Sequence, residues 1–344
     1  MRTERLPTLE DVARVAGVSR ATVSRVINGI RNVDPQLHEV VWEAVGRTGY
    51  VPNRLARSLV TRRSGTVALV VSDTDSHDDD PFLSRFFADP YFGRVVGGLM
   101  SVLRRQGVQL ALQIVGTDEA RRRFVGDLRN GQADGAVVLS LPPVDPLPRL
   151  LTDGGVPAVQ IGRPAEPVPI DYVDLANDTG AALAAERLLS RGCQRLAMIS
   201  GPADVPASSD RIAGFRRALA RRGHGWVPIE TGNFTRDSGE AAMRKLLGGD
   251  PQPDGVFVAN DLMALGALAA VREAGLRVPE DVAMVGFDDS SAAVAASPAL
   301  TTIRHPLEDM AAEAARLLLA RIEDPDMRVS SVIYEPALVE RDSA

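Results

Sequence analysis

Short β-branched segments alternate with helical segments over most of this 344-residue chain, beginning at Val67. The apolar segments lie at 67–72, 108–115, 134–140, 156–162, 195–200, 254–260 and 281–288. The predicted helices include 92–106, 177–191, 211–222, 261–274 and 307–321. Strict alternation predicts parallel sheets covered by helices on both faces. These strands are too many for one small sheet, so we predict two doubly wound halves with a cleft at the strands' carboxyl ends.

The N-terminal segment 8–28 has a different pattern, TLEDVARVAGVSRATVSRVIN. Thr8 and Asp11 have the spacing of a capping box, and apolar residues follow at helical spacing. Gly17 is expected to end this helix and Ser19 to cap the next one. Two short helices around a tight turn predict a helix-turn-helix, whose second helix enters the DNA major groove. A helical hairpin without any DNA-binding role has the same spacing and is the alternative.

Asp34-Pro35 predicts the start of a third helix, because Asp is a good N-cap and Pro is tolerated at the first helical position. Residues 1–62 contain ten Arg and six acidic residues, a net charge of +4. The whole chain carries −6, so the remaining residues carry −10. A basic head on an acidic body is expected when only the head touches phosphates.

The pattern V-A-x-x-A-G-V-S-x-x-T-V-S-R-V-I-N, followed by GYVPNRLARSL, resembles the LacI/GalR family of bacterial transcription regulators. The resemblance covers nearly the whole chain. It implies an N-terminal all-α helix-turn-helix head with a hinge helix. It also implies an α/β periplasmic-binding-protein-like core of two doubly wound parallel-sheet subdomains. The chain would cross between these subdomains three times, near 162–171, 302–306 and 324–328.

We therefore predict a DNA-binding domain at 1–52, a hinge helix and linker at 53–64, and an effector-binding and dimerisation domain at 65–344. The subdomains would comprise about 65–165 with 305–323, and about 170–302 with 328–340. In the family the hinge helix orders on operator DNA and pairs with its twin in the minor groove. Leu59 matches the family's leucine wedge, which kinks the duplex; packing on the domain behind it is the alternative.

Carried over residue by residue, Arg20 and Ala21 fall on the family's main specificity positions. An Arg there can be bidentate to guanine, whereas Ala offers only an apolar contact. The other predicted DNA contacts are Ser19, Thr22, Ser24, Arg25, Asn28, Asn53, Arg54, Ala56 and Leu59. Those before residue 29 are expected to contact phosphates or to position the helix.

The family binds its effector through an Arg, an Asn-Asp at a helix start and an Asp after a strand. The matching residues are Arg211 in SSDRIAGF, Asn260-Asp261 in VANDLMALGAL and Asp288 in VGFDD. Asp261 is expected to cap its helix rather than to bind ligand. Asp288 and Asp289 are adjacent on a strand, so only one of them is expected to face the cleft.

Tyr91, Phe92 and Phe234 match aromatic positions of the family's effector site, with core packing as the alternative. Arg163 follows a strand, where it can bind ligand or be solvated. The insert 75–89 is longer than is usual for the family and is expected at the mouth of the cleft, as a flap. Its acidic run 78–80 is interpreted as solvated charge rather than a metal site. We predict neither a metal nor a cofactor.

Other classes of function are poorly supported. No G-x-S-x-G, H-E-x-x-H or P-loop motif occurs, and the four His are scattered, so no catalytic activity is expected. No apolar run could span a membrane, and no signal peptide precedes the head. The single Cys193 fits a reducing compartment; a structural role is expected and a reactive one is the alternative. These features predict a cytoplasmic, nucleoid-associated protein.

The sequence therefore predicts a homodimeric repressor that binds a pseudo-palindromic operator and responds to a sugar or oligosaccharide in the cleft. One alternative is the same fold controlled by a purine, a nucleoside or a phosphorylated metabolite. An anionic effector would need several cations, and only Arg211 and Arg163 are evident, so a neutral sugar is favoured. A sugar-binding transport protein is a weaker alternative, because it would leave the head without a purpose. A dimer is expected over a tetramer, since no leucine-heptad tail follows the last strand.

Overall fold

The structure, a computed structural model, describes residues 7–27, 33–50, 63–73, 89–140 and 144–344. The chain divides into two compact units. The first comprises Met1–Thr66 with Gly131–Asp134, and the second comprises Val67–Asn130 with Gly135–Ala344. Within the described residues, no helix is both long enough and apolar enough to cross a lipid bilayer.

The described part of the first unit contains the helices α1 (Leu9–Ala16), α2 (Arg20–Ile27) and α3 (Pro35–Thr48). The predicted capping box is present in α1, where Thr8 N donates to Asp11 Oδ2 at 2.9 Å. Hydrogen bonds from the hydroxyl and amide of Thr8 lower the pKa of Asp11 to about 2. Gly17 ends α1 with a φ of 68°, a left-handed conformation that glycine adopts without strain.

The third helix starts as predicted, with Asp34 accepting a hydrogen bond from Gln36 N at 2.8 Å. The three helices bury a small apolar core made of Val12, Val23, Val26, Ile27, Val41, Ala44 and Val45. Burying these residues fixes which face of α2 remains outside. The residues of α2 that are left at the surface are the ones available to a partner.

The described residues from Thr66 onward form two six-stranded sheets. The first contains β1 (Thr66–Ser72), β2 (Gln109–Val115), β3 (Ala136–Ser140), β4 (Ala158–Ile161), β5 (Asp171–Leu175) and β11 (Ser331–Tyr334), in the order β11-β5-β4-β3-β1-β2. The second contains β6 (Leu196–Ser200), β7 (Ile229–Thr231), β8 (Gly255–Val258), β9 (Ala283–Asp288), β10 (Thr301–Arg304) and β12 (Ala337–Val339), in the order β12-β10-β9-β8-β6-β7. The strand pairs with a described register are parallel, apart from the antiparallel pair β10–β12. The predicted architecture is confirmed.

Helices connect the strands on both faces. They are α4 (Pro90–Leu103), α5 (Asp118–Arg129), α6 (Leu147–Asp153), α7 (Asn177–Ser190), α8 (Pro206–Ala220), α9 (Arg236–Leu247), α10 (Asp261–Glu273), α11 (Ser291–Ala295) and α12 (Leu307–Glu323). The helix predicted at 211–222 begins earlier, because Pro206 occupies its first turn. This extension places Arg211 one turn inside the helix rather than at its start.

Two of the three predicted crossings between the sheets are wrong. The chain leaves the first sheet only after β5, and it returns to the second sheet only after β11. The predicted crossings at 162–171 and 324–328 therefore come too early, whereas the change after β10 falls within 302–306 as predicted. The strand β5 (DYVDL) contains two buried carboxylates, and because of these charged residues it was not predicted as a strand. Asp171 is neutralised there by Arg321 at 2.8 Å.

Cys193 is 7% exposed, and its thiol donates to the Asp254 carbonyl at 3.4 Å. Burial raises the pKa of this thiol to about 11. Because the thiolate is the reactive form, both observations support the structural interpretation of Cys193.

Candidate functional site

The outer surface of α2 carries the predicted DNA contacts that the structure describes. Ser19 Oγ accepts from Thr22 N at 3.1 Å, so Ser19 caps this helix. Arg20, Ala21 and Arg25 are exposed, and Thr22 and Ser24 are partly exposed. Asn28, Asn53, Arg54, Ala56 and Leu59 lie outside the described residues, as does the insert 75–89 except for Asp89. The described residues of α2 thus present a polar face opposite the buried Val23 and Val26.

Arg20 has an intramolecular partner on α1. Its Nε lies 3.0 Å from Glu10 Oε1, and both side chains are more than half exposed. An exposed pair of this kind contributes only about 0–1 kcal/mol, so a stronger partner can replace Glu10.

Arg211 is the central cation of the second candidate site, at the carboxyl ends of the strands of the second sheet. Its Nε donates to Asn177 Oδ1 at 2.9 Å and its Nη1 to the Ala259 carbonyl at 2.5 Å. The guanidinium lies over the Phe287 ring, with Cζ 3.6 Å from the ring centroid. These contacts fix the plane of the guanidinium. Among the described residues, Nη2 has no hydrogen-bond partner, which leaves it available to a ligand.

The electrostatic surroundings of Arg211 are acidic. Burial lowers the pKa of its guanidinium, and the nearby Asp288 carboxylate opposes that shift. Asp174, at the end of β5, has a pKa raised mainly by burial. Asp89 caps α4 and has its pKa raised to about 6, by burial and then by the charge of Asp288. The site therefore combines one buried cation with several carboxyl groups.

Asp288 ends β9 in a conformation that is rare for a residue with a side chain, with φ of 115°. Its Oδ1 lies 3.3 Å from His305 Nδ1. Burial lowers the pKa of His305, which favours a neutral ring. Asp289, in contrast, pairs with Arg304 and Arg341. The strand ends at Asp288, and the two adjacent carboxylates have different partners.

Positive φ values single out the same region. Among the described non-glycine residues, they occur at Phe234, Asp288 and Asp289. Such conformations cost about 1–3 kcal/mol each and cluster at functional sites. Phe234 is partly buried, and its ring lies against Gly201, where a Cβ would be 2.1 Å from the ring. Phe234 is thus held between the core and the cleft.

The two aromatic residues at the start of α4 have different environments. Phe92 is 7% exposed and belongs to the hydrophobic core, in agreement with the alternative of core packing. Tyr91 is partly exposed, and its ring centroid lies 6.2 Å from that of His305. Burial and the charge of Asp288 raise the pKa of the Tyr91 hydroxyl. Tyr91 therefore joins the group around Asp288, whereas Phe92 supports it from behind.

Asn260, and not Asp261, caps the helix α10. Asn260 caps α10, because its Oδ1 accepts from Met263 N at 2.9 Å while its Nδ2 donates to the Phe234 carbonyl at 3.0 Å. Asp261 is fully buried and accepts from Ser290 and from Thr302, so the expectation that it caps the helix is wrong. Asn260 thereby fixes the position of Phe234.

Arg163 was expected either to bind ligand or to be solvated, and in the structure it forms an ion pair. Its Nη2 donates to both carboxylate oxygens of Asp210, at 3.0 and 2.8 Å. Arg163 follows β4 of the first sheet, whereas Asp210 lies on α8, which packs against β6 of the second. This half-exposed pair bridges the two halves of the second unit.

Sequence reasoning missed Asp89, Asn177, Asp174 and His305 as members of the site. Asn177 orients Arg211, Asp174 and Asp89 add negative charge, and His305 contacts Asp288. Asp174 was missed because its strand was missed. His305 could have been found from its position at a crossing between sheets, where the chain passes the cleft.

A helix-turn-helix head joined to two doubly wound sheets with a polar cleft defines the class of ligand-responsive DNA-binding regulators. The sequence pattern described as "Bacterial regulatory proteins, lacI family" matches residues 8–53, and that of a "Periplasmic binding protein-like domain" matches residues 185–344. The chain is 44% identical to the HTH-type transcriptional regulator CelR of Thermobifida fusca, over 100% of both chains. It belongs to the LacI family of bacterial transcriptional regulators.

Two solved structures are similar over almost the whole chain. A transcriptional regulator CelR–cellobiose complex is 42% identical, with a TM-score of 0.76, over 98% of this chain and 100% of that one. A lac repressor dimer bound to operator and the anti-inducer ONPF is 27% identical, with a TM-score of 0.80, over 98% and 99%. Both similarities include the head and the two sheets.

Proposed function

We propose that this regulator is a homodimeric repressor whose operator affinity is controlled by a small neutral carbohydrate bound in the cleft. The observation that carries the proposal is the oriented Arg211 guanidinium beside the Asp288 carboxylate, with an Nη2 that has no partner in the described part of the chain. A donor fork next to a carboxylate acceptor suits vicinal hydroxyl groups, which both donate and accept. Tyr91 and Phe234 supply aromatic surface for the apolar face of a sugar ring.

The charge of the cleft argues against a phosphorylated effector. Arg163 is neutralised by Asp210, so Arg211 is the remaining cation of the two that the sequence indicated. Asp89, Asp174 and Asp288 add negative charge or buried carboxyl groups around it. A phosphate placed there would lose its hydration without gaining a set of cations. Neutral ligands, including a purine or nucleoside as the alternative to a sugar, avoid this cost.

The CelR complex contains cellobiose, so cellobiose is the first ligand to test. We propose Arg211, Asp288, Tyr91 and Phe234 as direct contacts, Asn260 as a supporting residue, Arg163 as a bridging residue and Phe92 as packing behind the site. We propose no catalytic activity for this cleft. Its carboxyl groups belong to a binding arrangement that also includes the neutral His305.

For DNA, we propose that α2 reads the operator through Arg20 and Ala21, with Ser19, Thr22, Ser24 and Arg25 at phosphates. The head at 1–52 and the hinge helix and linker at 53–64 would act as a pair of copies on a pseudo-palindromic site, in the cytoplasm and on the nucleoid. The lac repressor structure, a dimer on its operator, supports this arrangement.

Calorimetry and DNA binding test the proposal together. Cellobiose, cellotriose, lactose, ribose, adenine and guanosine are titrated into the protein, and operator duplexes are selected from a random pool. We expect one sugar to bind, to raise the melting temperature by mass action and to change operator affinity. Sugar binding to Asp288→Asn should weaken about 10- to 100-fold, because a charge-assisted hydrogen bond contributes about 1.5–3 kcal/mol.

The exposed Asp281, which pairs with Arg277, provides the control: Asp281→Asn should bind sugar as the wild type does. Equal operator affinity of wild type and Asp288→Asn without sugar would show that the substitution acts on the effector site alone. Binding of adenine or guanosine but of no sugar would overturn the carbohydrate assignment. Failure to enrich any DNA sequence would overturn the operator assignment.

A further inference from the structure

The Arg94 guanidinium forms an unusually complete set of hydrogen bonds at the edge of the cleft. Nε and Nη2 donate to the two carboxylate oxygens of Glu308, at 2.7 and 2.8 Å. Nη2 also donates to the His305 carbonyl at 2.7 Å, and Nη1 donates to the Asp288 carbonyl at 2.9 Å. The side chain is 18% exposed. One side chain thus binds three residues on two separate segments, at 288 and at 305–308, through a planar fork.

The two segments connect different parts of the second unit. Asp288 ends β9 of the second sheet, and His305 lies where the chain leaves that sheet. Glu308 is in the first turn of α12, which packs against α4 and against the strands β3, β4 and β5 of the first sheet. Arg94 itself lies on α4. It therefore connects the proposed effector residue on one sheet to a helix pair on the other.

The helix pair is tightly packed one turn beyond Arg94. A Cβ added at Gly98 would lie 2.3 Å from the Glu308 carbonyl oxygen and 2.7 Å from Ala311 Cβ. Residues 94 and 98 lie on the same face of α4. The bidentate pair of Arg94 with Glu308 and the close approach at Gly98 together join α4 to α12. Packed interfaces of this kind shift as units rather than deform continuously.

The hydrogen bond from Arg94 to the second sheet is made to Asp288, whose backbone is strained. Asp288 has a φ of 115°. Its carbonyl accepts one hydrogen bond from Arg94 Nη1 and another from His305 N, at 3.4 Å. Strained backbone persists where the surroundings over-determine it. A ligand that binds the Asp288 carboxylate and changes this backbone must also change the geometry at Nη1 of Arg94.

We infer that Arg94 is a positioning residue that transmits displacement of Asp288 to the helix pair α4–α12. The inference rests on the proposed function, because it takes Asp288 as the effector residue. Arg94 contacts Asp288 through the backbone and leaves the carboxylate to the ligand. Its loss should therefore reduce the coupling between effector and operator more than it reduces effector affinity. Couplings between sites are about 5- to 150-fold in affinity.

Arg94→Lys is the test variant, because an ammonium group keeps the charge beside Glu308 but cannot fork to both carbonyls and the carboxylate. Arg316→Lys is the matched control. Arg316 also pairs with a glutamate of α12, Glu313, but it is 58% exposed and donates to no other segment that the structure describes. Hydrogen exchange is measured on the ligand-free proteins. Operator affinity is measured with and without cellobiose, or with whichever ligand of the panel binds the wild type.

We expect Arg94→Lys to exchange its amides at 287–291 at least tenfold faster than the wild type, with a melting temperature close to that of Arg316→Lys. We expect the effector-dependent change in operator affinity to fall to less than threefold, while effector affinity falls less. A purely structural ion pair would alter exchange in α4 and α12 but not at 287–291. Unchanged exchange at 287–291 overturns the inference, as does a retained coupling.

The proposed function and this inference can fail separately. A wild type that binds no ligand of the panel contradicts the proposed effector class. The exchange comparison at 287–291 still decides whether Arg94 holds Asp288, because it requires no ligand.

Discussion

Glu10 pairs with Arg20, the residue that we propose contacts a base of the operator, and therefore competes with DNA for it. Its carboxylate pairs with Arg20, and it adds negative charge to a surface that would face phosphates. Glu10→Gln should therefore raise affinity for the selected operator by a few-fold at low salt, because an exposed pair contributes about 0–1 kcal/mol. The gain should shrink as salt screens the phosphates. Fluorescence anisotropy at two salt concentrations measures it.

Glu39 lies on the exposed face of α3 and provides a control. It separates the effect of removing any negative charge from the effect of breaking the pair of Glu10 with Arg20. Glu39→Gln removes the same charge from the head without releasing Arg20. An equal gain in operator affinity from both variants would show that the Glu10 pair has no special role.

Asp261 should make the stability of the second unit depend on pH. Burial, and then the charge of Asp288, raise the pKa of Asp261 to about 7. The folded chain thus holds this proton more tightly than the unfolded chain does. The stabilisation is complete below pH about 4 and is lost as the pH rises to about 7.

Asp261→Asn should remove most of that loss, because an amide can accept from Ser290 and donate to the Thr302 hydroxyl without titrating. The difference between the variant and the wild type should grow with pH by an amount on the order of a few kcal/mol. Urea unfolding at pH 4.5 and at about pH 7.5 measures it. Asp281→Asn, at an exposed site, should show no such growth; an equal growth there would refute the role of Asp261.

At the scale of elements, contact between helices α9 and α10 depends on glycine. A Cβ at Gly266 would lie 1.9 Å from the Arg236 carbonyl oxygen, so the helices must separate to accept one. Gly266→Ala should destabilise by about 1–3 kcal/mol or more, the usual cost of overpacking. In α5, Gly126 has nothing within 4 Å of its added Cβ, so Gly126→Ala should stabilise by about 0.5–1 kcal/mol. Denaturant titration compares the two; similar effects would contradict this account of the packing.

Local signals predicted the elements whose causes are local. The capping box at Thr8, the cap at Asp34 and the strand before Asp288 depend on residues a few positions apart, and the structure contains them. The strand β5 was missed because its burial depends on partners far along the chain. The ion pair of Asp171 with Arg321 spans 150 positions, so no local pattern reveals it.

The same limit applies to the candidate site. The resemblance to the family indicated Arg211 and Asp288, which match its motifs in SSDRIAGF and VGFDD. Asn260 and Asp261 are both good caps, so the sequence could not assign their roles. The assignment was decided by Ser290 and Thr302, which give Asp261 its buried partners. The pairing of Arg163 with Asp210 could likewise not be predicted, because the two residues come from different halves of the second unit.

At the scale of the whole second unit, the proposed site is assembled from both halves. Asp89 and Tyr91 lie at the start of α4, which packs with the first sheet. Arg211 lies on α8, which packs against the second sheet, and Asp288 ends a strand of that sheet. A ligand between the halves can favour one relative position of the sheets only by binding it more tightly than another. Any contact that spans the halves therefore contributes to the same equilibrium, and the pair of Arg163 with Asp210 is such a contact.

A charge-swap experiment separates the two functions open to Arg163. If Arg163 acts by bridging the sheets, Asp210→Arg should weaken cellobiose binding several-fold, because two cations then face each other across the cleft. The double variant Arg163→Asp with Asp210→Arg should restore most of the affinity, since the pair is re-formed with reversed polarity. If Arg163 instead donates to the sugar directly, the double variant should remain as weak as Arg163→Asp alone. Calorimetry at low and high salt measures both, and a bridging pair should lose its contribution at high salt because it is half exposed.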